Sequence, residues 1–163
     1  MKRRSLKSLV PAEIQTFENR VLLAGSATAT FSAGLLQVHI TGGGKVRIAE
    51  TGPGTYRVAP IGVVQINGAV EPLLISGVVN VDVTMDPSTN YDTKNVLRIG
   101  FEAGLFTTIP GNVTVDAGGG YNRVYFENAH IGGNVAVERG ADNYVDLEQT
   151  TVSGTTNVNI PLD

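Results

Sequence analysis

Two short asparagine-led patterns alternate along the second half of the chain and leave few folds open to it. The first is Asn-Val-x-Val, or its close variant: Asn80-Val81-Asp82-Val83, Asn112-Val113-Thr114-Val115, Asn134-Val135-Ala136-Val137 and Asn157-Val158-Asn159-Ile160, at intervals of 32, 22 and 23 residues. The second is Asn-x-apolar-x-apolar: Asn95-Val96-Leu97-Arg98-Ile99, Asn122-Arg123-Val124-Tyr125-Phe126 and Asn143-Tyr144-Val145-Asp146-Leu147, at intervals of 27 and 21. A weaker third element sets Ile131-Gly132-Gly133 against Val152-Ser153-Gly154. Within each copy apolar residues fall on every second position, the periodicity of a strand with one buried face. The same alternation runs earlier through Leu36, Val38 and Ile40, and through Val46 and Ile48.

A unit of about 22 residues holding two or three short strands predicts an all-β fold of repeat type, a short parallel β-solenoid or β-helix. Like strands would stack about 4.8 Å apart around a shared interior. Val113, Val135 and Val158 would then form one inward column, with Val124 over Val145 in another. The asparagines acquire a purpose in such a stack, because an amide carries both donor and acceptor and can bond to its copy one layer away. Ladders are therefore expected through Asn95, Asn122 and Asn143, and through Asn80, Asn112, Asn134 and Asn157. Period two alone also fits an antiparallel β-sandwich or meander, which is the alternative fold. The clearest coils span 80–163 within one β-repeat domain, 31–163, and the register in 50–95 is open because the spacing breaks there.

Composition narrows the chemistry. The 163 residues contain no cysteine, which removes disulfides, thiolate metal sites and cysteine nucleophiles together. Of 12 basic and 15 acidic residues, five and two lie in the first 20, leaving 7 against 13 for the remainder, a poor balance for nucleic acid. No phosphate-binding loop or Gly-x-Ser-x-Gly elbow is present, since Gly42-Gly43-Gly44 joins strand to strand. No run of apolar residues is long enough to span a membrane.

Residues 1–30 read as a basic sorting or capping segment. Lys2-Arg3-Arg4 leads into an amphipathic helix over about 11–24, with Pro11 at its start, Ile14, Phe17 and Val21 on one face and Gly25 as its stop. Ser26-Ala27-Thr28-Ala29 reads as a linker or processing site. Phe17, Glu18, Arg20, Leu22 and Leu23 resemble the N-terminal "LEPR" motif of large exported surface proteins of planctomycete-type bacteria, with Phe17 and Asn19 standing where that motif has leucine and proline. Residues 112–157 resemble the glycine-, aspartate- and asparagine-rich coils of β-solenoids on such surfaces, which are distantly similar to repeats-in-toxin coils, and 35–58 resemble their opening strands. The resemblance implies an exported, bacterial cell-surface structural or adhesive module rather than an enzyme.

Two chemical alternatives follow from particular residues. Arg98, Tyr125 and Asp146 would form one outward column and Gly100, Glu127 and Glu148 the next, so that Glu127 and Glu148 could act as the acid/base pair of a polysaccharide-active β-helix. Asp116 and Asp142, beside Gly118-Gly119-Gly120 and Gly140, are the candidates for calcium in a calcium-dependent folding module, although neither lies in a tandem Gly-Gly-x-Gly-x-Asp pattern. No other cofactor is expected. Thr114, Arg123, Tyr125, Tyr144 and Asn159 would offer a flat polar surface to a glycan or a surface protein. An uncovered last coil predicts self-association through the C-terminal end of the solenoid.

Overall fold

The structure is a computed structural model that describes residues 25–100, 105–138, 140 and 142–159. It is all-β, with three mixed or parallel sheets built from 16 strands. The predicted helix over about 11–24 and the motif residues Phe17, Glu18, Arg20, Leu22 and Leu23 lie outside the described residues.

The first part is built mainly from antiparallel pairs. β1 (Ser26–Ser32) and β2 (Leu35–Thr41) form a hairpin closed by Ala33 and Gly34, both at positive φ (48° and 79°), the backbone pair that matches the twist of the flanking strands. The small residues 26–29 are therefore strand rather than linker, because Ala27 and Ala29 alternate with threonines and are buried. β3 (Lys45–Gly52) pairs antiparallel with β4 (Thr55–Pro60), and after the two-residue β5 (Gln65–Ile66), β6 (Leu73–Ser76) adds antiparallel to β4. This excursion is why the repeat spacing breaks in 50–95.

Beyond it the chain visits three sheets in turn. β7 (Asn80–Met85), β8 (Val96–Gly100) and β9 (Thr107–Ile109) are followed by β10 (Val113–Asp116), β11 (Arg123–Glu127) and β12 (Ala129–Ile131). Then come β13 (Val135–Glu138), β14 (Tyr144–Glu148), β15 (Thr151–Val152) and β16 (Thr156–Asn159). The first sheet runs β16-β13-β10-β7-β2-β1-β5, the second β14-β11-β8-β3-β4-β6 and the third β15-β12-β9. The pairings among β7–β16 are parallel, as are β2 with β7 and β3 with β8.

Register lines up like with like, so the interior is a set of apolar columns. Val38, Val83, Val115, Val137 and Val158 form one; Val46, Leu97, Val124 and Val145 another; Ile109, Ile131 and Val152 a third. From Val38 to Val137 these side chains are essentially inaccessible to solvent, each contributing about 1.5–3 kcal/mol of hydrophobic stabilisation. The last copy slips by two residues from the expected alignment: Val158 stands opposite Val137, and Val135 faces Thr156. Its turn, Ser153-Gly154-Thr155, places Gly154 on the carbonyl of Gly133, and that backbone contact, rather than the asparagine, sets the register.

Candidate functional site

Asparagines bind neighbouring layers together at two corners. At the first, Asn95, Asn122 and Asn143 are 1%, 0% and 4% exposed, so each amide group must find its partners within the protein. Asn143 Oδ1 accepts from the Asn122 backbone N–H at 2.9 Å, Asn122 Oδ1 from that of Asn95 at 3.1 Å, and Asn95 Oδ1 from that of Gly43 at 2.9 Å. The Nδ2 groups donate to turn carbonyls, Asn95 and Asn122 both to Asp86 O at 2.8 Å, Asn122 to Ala117 O at 2.6 Å and Asn143 to Gly118 O at 2.6 Å. At the second corner, which is open to solvent, Asn80 Oδ1 accepts from Asn112 N–H and Asn112 Oδ1 from Asn134 N–H, both at 2.8 Å. Asn157 is not in this row. Thr155 occupies the place, donating its N–H to Asn134 Oδ1 at 2.8 Å, while Asn157 faces Ala136 across the sheet. The sequence signal that marks the row is the preceding glycine: a Cβ on Gly111, Gly133 or Gly154 would lie 2.3–2.4 Å from the asparagine oxygen of the layer below.

The outer face of the second sheet is where charge and aromatic rings collect. Arg98, Tyr125 and Asp146 stand in register, as do Gly100, Glu127 and Glu148 in the next row. Arg98 Nη1 donates to both oxygens of Glu127 (2.9 and 3.1 Å) while its guanidinium lies 4.8 Å from the centre of the Tyr125 ring. Arg123 sits between Tyr91 and Tyr144, 5.2 Å from each ring centre, and donates to the Tyr91 hydroxyl at 3.3 Å. The hydrogen bond to the Tyr125 side chain raises the Arg123 pKa further. Tyr144 Oη donates to Asp146 at 3.2 Å, and the carboxylate holds that phenol above its ordinary pKa. Compared with protein families, curated proteins and solved structures, the chain matches none.

Glu127 and Glu148 are therefore direct neighbours on parallel strands, at the rim of a depression of about 190 Å³ shared with Asn128 and Gln149. Glu127 is already engaged by Arg98, and Asp146 by Tyr144. Asp116 Oδ1 accepts from Gly118 N–H at 3.0 Å, a turn contact, and Asp142 is exposed. Among the described residues no group of three or more His, Asp or Glu side chains is gathered as metal ligands. The expected flat polar surface divides in two: Arg123, Tyr125 and Tyr144 belong to the second sheet, Thr114 and Asn159 to the outer face of the first. No helix among the described residues is long and apolar enough to cross a membrane.

Two edge contacts near the start of the sheets have no counterpart in the sequence pattern. Asn67, at φ 52°, presents its amide to Ala29 of β1 as a strand would, accepting from the Ala29 N–H and donating to its carbonyl, both at 2.8 Å. On the third sheet, the Thr108 N–H of β9 donates to Glu50 Oε2 at 2.9 Å and the Thr108 carbonyl accepts from the Tyr56 hydroxyl. Burial, with Glu50 adding to it, pushes the Tyr56 phenol up to about 12.

Proposed function

We propose that the chain is an exported bacterial cell-surface module, structural or adhesive and without catalytic activity, wound as a short parallel β-solenoid of the planctomycete type. The observation that supports it best is the in-register stacking of like segments in three sheets, held at two corners by asparagine rows. The basic start and the Phe17-to-Leu23 motif support export. In cells expressing the full chain, protease added outside should remove it while cytoplasmic markers survive; protection from the protease overturns the surface assignment. Purified protein should leave neutral and acidic glycans uncleaved, and turnover lost in Glu127→Gln would establish instead the enzymatic alternative built on Glu127 and Glu148. A melting temperature lowered by chelator would favour the calcium alternative at Asp116 or Asp142.

Self-association through the C-terminal end belongs to the same proposal. Val145, Leu147, Val152 and Val158 pack on the core yet are only partly buried, and they lie on the last strand of each sheet. Sedimentation should show a concentration-dependent increase in mass; a monomer up to high micromolar concentration overturns it.

A further inference from the structure

Of the chain's twelve asparagines only Asn67 is followed by glycine. In every other case the next residue carries a side chain, such as Val81, Val96, Arg123 or Tyr144, which crowds the backbone nitrogen that follows the asparagine. Glycine leaves that nitrogen open, and both Asn67 and Gly68 are exposed to solvent. The pair forms a two-residue turn with φ of 52° and 80°, in the left-handed region that asparagine and glycine tolerate. Ile66 and Ala69 close the turn, each donating its N–H to the other's carbonyl, at 2.7 and 3.0 Å.

The same residue serves the edge of the first sheet. β5 pairs with β1 at Ser26 and Ala27, and from there the chain turns back at Gly68. Asn67 carries the ladder one step further. Its backbone N–H donates to Ala27 O at 3.0 Å, and its carboxamide stands in for the next peptide group, accepting from Ala29 N–H and donating to Ala29 O, both at 2.8 Å. The carboxamide thus reaches towards β1 while the backbone leads away from it. A carboxylate in its place could accept from the Ala29 N–H but has nothing to donate, and it would set a negative oxygen against the Ala29 carbonyl.

We propose that Asn67 is a deamidation site, and that its bonds to Ala29 make it a one-way latch on the edge of the first sheet. In the reaction the Gly68 nitrogen loses its proton to solvent base and attacks Asn67 Cγ. The bond from Cγ to the side-chain nitrogen breaks, ammonia leaves after taking a proton from solvent, and a cyclic imide remains. Solvent water opens the imide at either carbonyl, leaving aspartate or isoaspartate at position 67; nothing is oxidised or reduced. Ring closure needs Cγ brought round to the Gly68 nitrogen, which the two bonds to Ala29 oppose, so the closed edge protects the asparagine and local opening exposes it. Once converted, the residue lacks the donor that Ala29 O requires, and the edge stays available to another strand. A transient opening is thereby made permanent.

The test follows conversion at position 67 in the full chain at neutral pH, by peptide mass mapping with the aspartyl and isoaspartyl forms separated by chromatography. In the urea-unfolded chain Asn67 should convert ahead of all other asparagines; in the folded chain it should convert at least about tenfold more slowly. Equal rates in the two states, or faster conversion at another asparagine, overturns the proposal. Ala29→Pro lacks the N–H that holds Asn67 Oδ1 and, where circular dichroism shows it folded, should convert about fivefold faster than the native chain. No change would assign the protection to the turn alone and overturn the latch. Hydrogen exchange reads the consequence and decides the matter if Ala29→Pro does not fold. In Asn67→Asp the Ala29 N–H should exchange about tenfold faster, while that of Val115, on β10 of the same sheet, stays as it was. If Asn67→Asp does not fold, native chain aged to partial conversion supplies the same comparison. Exchange at Ala29 that is the same before and after conversion overturns the latch.

Discussion

Asn122 shows how much can hang on one buried amide. Its oxygen takes the Asn95 N–H and its nitrogen takes the carbonyls of Ala117 and Asp86, all in a place water does not reach. Asn122→Ala would leave buried donors and acceptors without partners at about 1–3 kcal/mol each, so a loss of at least about 3 kcal/mol is expected in urea titration. Asn112→Ala, at the solvent-facing corner where water can replace the lost oxygen, should cost no more than about 1 kcal/mol. A near-equal cost would mean that the buried row carries no special weight. Tyr56 gives a pH signature. Its phenol, raised from 10.0 to about 12 in the folded chain, holds its proton more tightly there than in the unfolded chain. That contribution is complete below about pH 10 and is lost as pH rises from 10 towards 12, on the order of 2 kcal/mol in all. Tyr56→Phe should flatten the fall in stability across that window; an unchanged slope would show that other groups cause it.

Turns and edges decide the register of the strands, and here the legibility of the sequence was uneven. The buried row through Asn95, Asn122 and Asn143 was readable, since each asparagine sits one step before an alternating apolar run that leaves it no face but the inner one. Asn157 was misleading: it repeats the motif, yet the glycine before the row, present at Gly111, Gly133 and Gly154, marks the alignment and points to Thr155. The alternation through β3 and β4 serves parallel and antiparallel strands alike, so direction was not available from periodicity. The edge contacts of Asn67 and Glu50 join positions 38 and 58 residues apart, and no local pattern encodes such a reach. Gly133→Ala tests the glycine rule. The new Cβ would meet Asn112 Oδ1 at 2.4 Å and Gly111 backbone at 2.7 Å, so a loss of about 2 kcal/mol or more is expected, whereas Gly52→Ala, with nothing within 4 Å, should be close to neutral. Equal midpoints for the two variants would remove the close approach as an explanation. Glu50→Ala should speed hydrogen exchange at Thr108 well ahead of Ile131, and protection that stays put would mean the carboxylate does not guard that edge.

At the scale of the molecule, the registers make one layer interchangeable with the next. Residues 113–134 form a complete pass from Val113, opposite Val135, to Asn134, the row partner of Asn112. Deleting them joins Asn112 to Val135 and brings Val135 opposite Val81, Tyr144 opposite Val96 and Thr151 opposite Thr108, with the same apolar phases. The shortened chain is expected to fold, with a smaller denaturant slope because less surface is buried, and near-native strand content per residue by circular dichroism. A shortened chain that stays unfolded would show that the layers are not equivalent. The side-chain amide of Asn67 has a consequence for how such a chain assembles. Because it occupies the Ala29 backbone groups that another strand would need, this end of the first sheet is closed before β7–β16 have been made. Each later strand of that sheet then meets a template that accepts it on one side only, so growth of the sheet has a direction and its newest edge is open to capture by a neighbour.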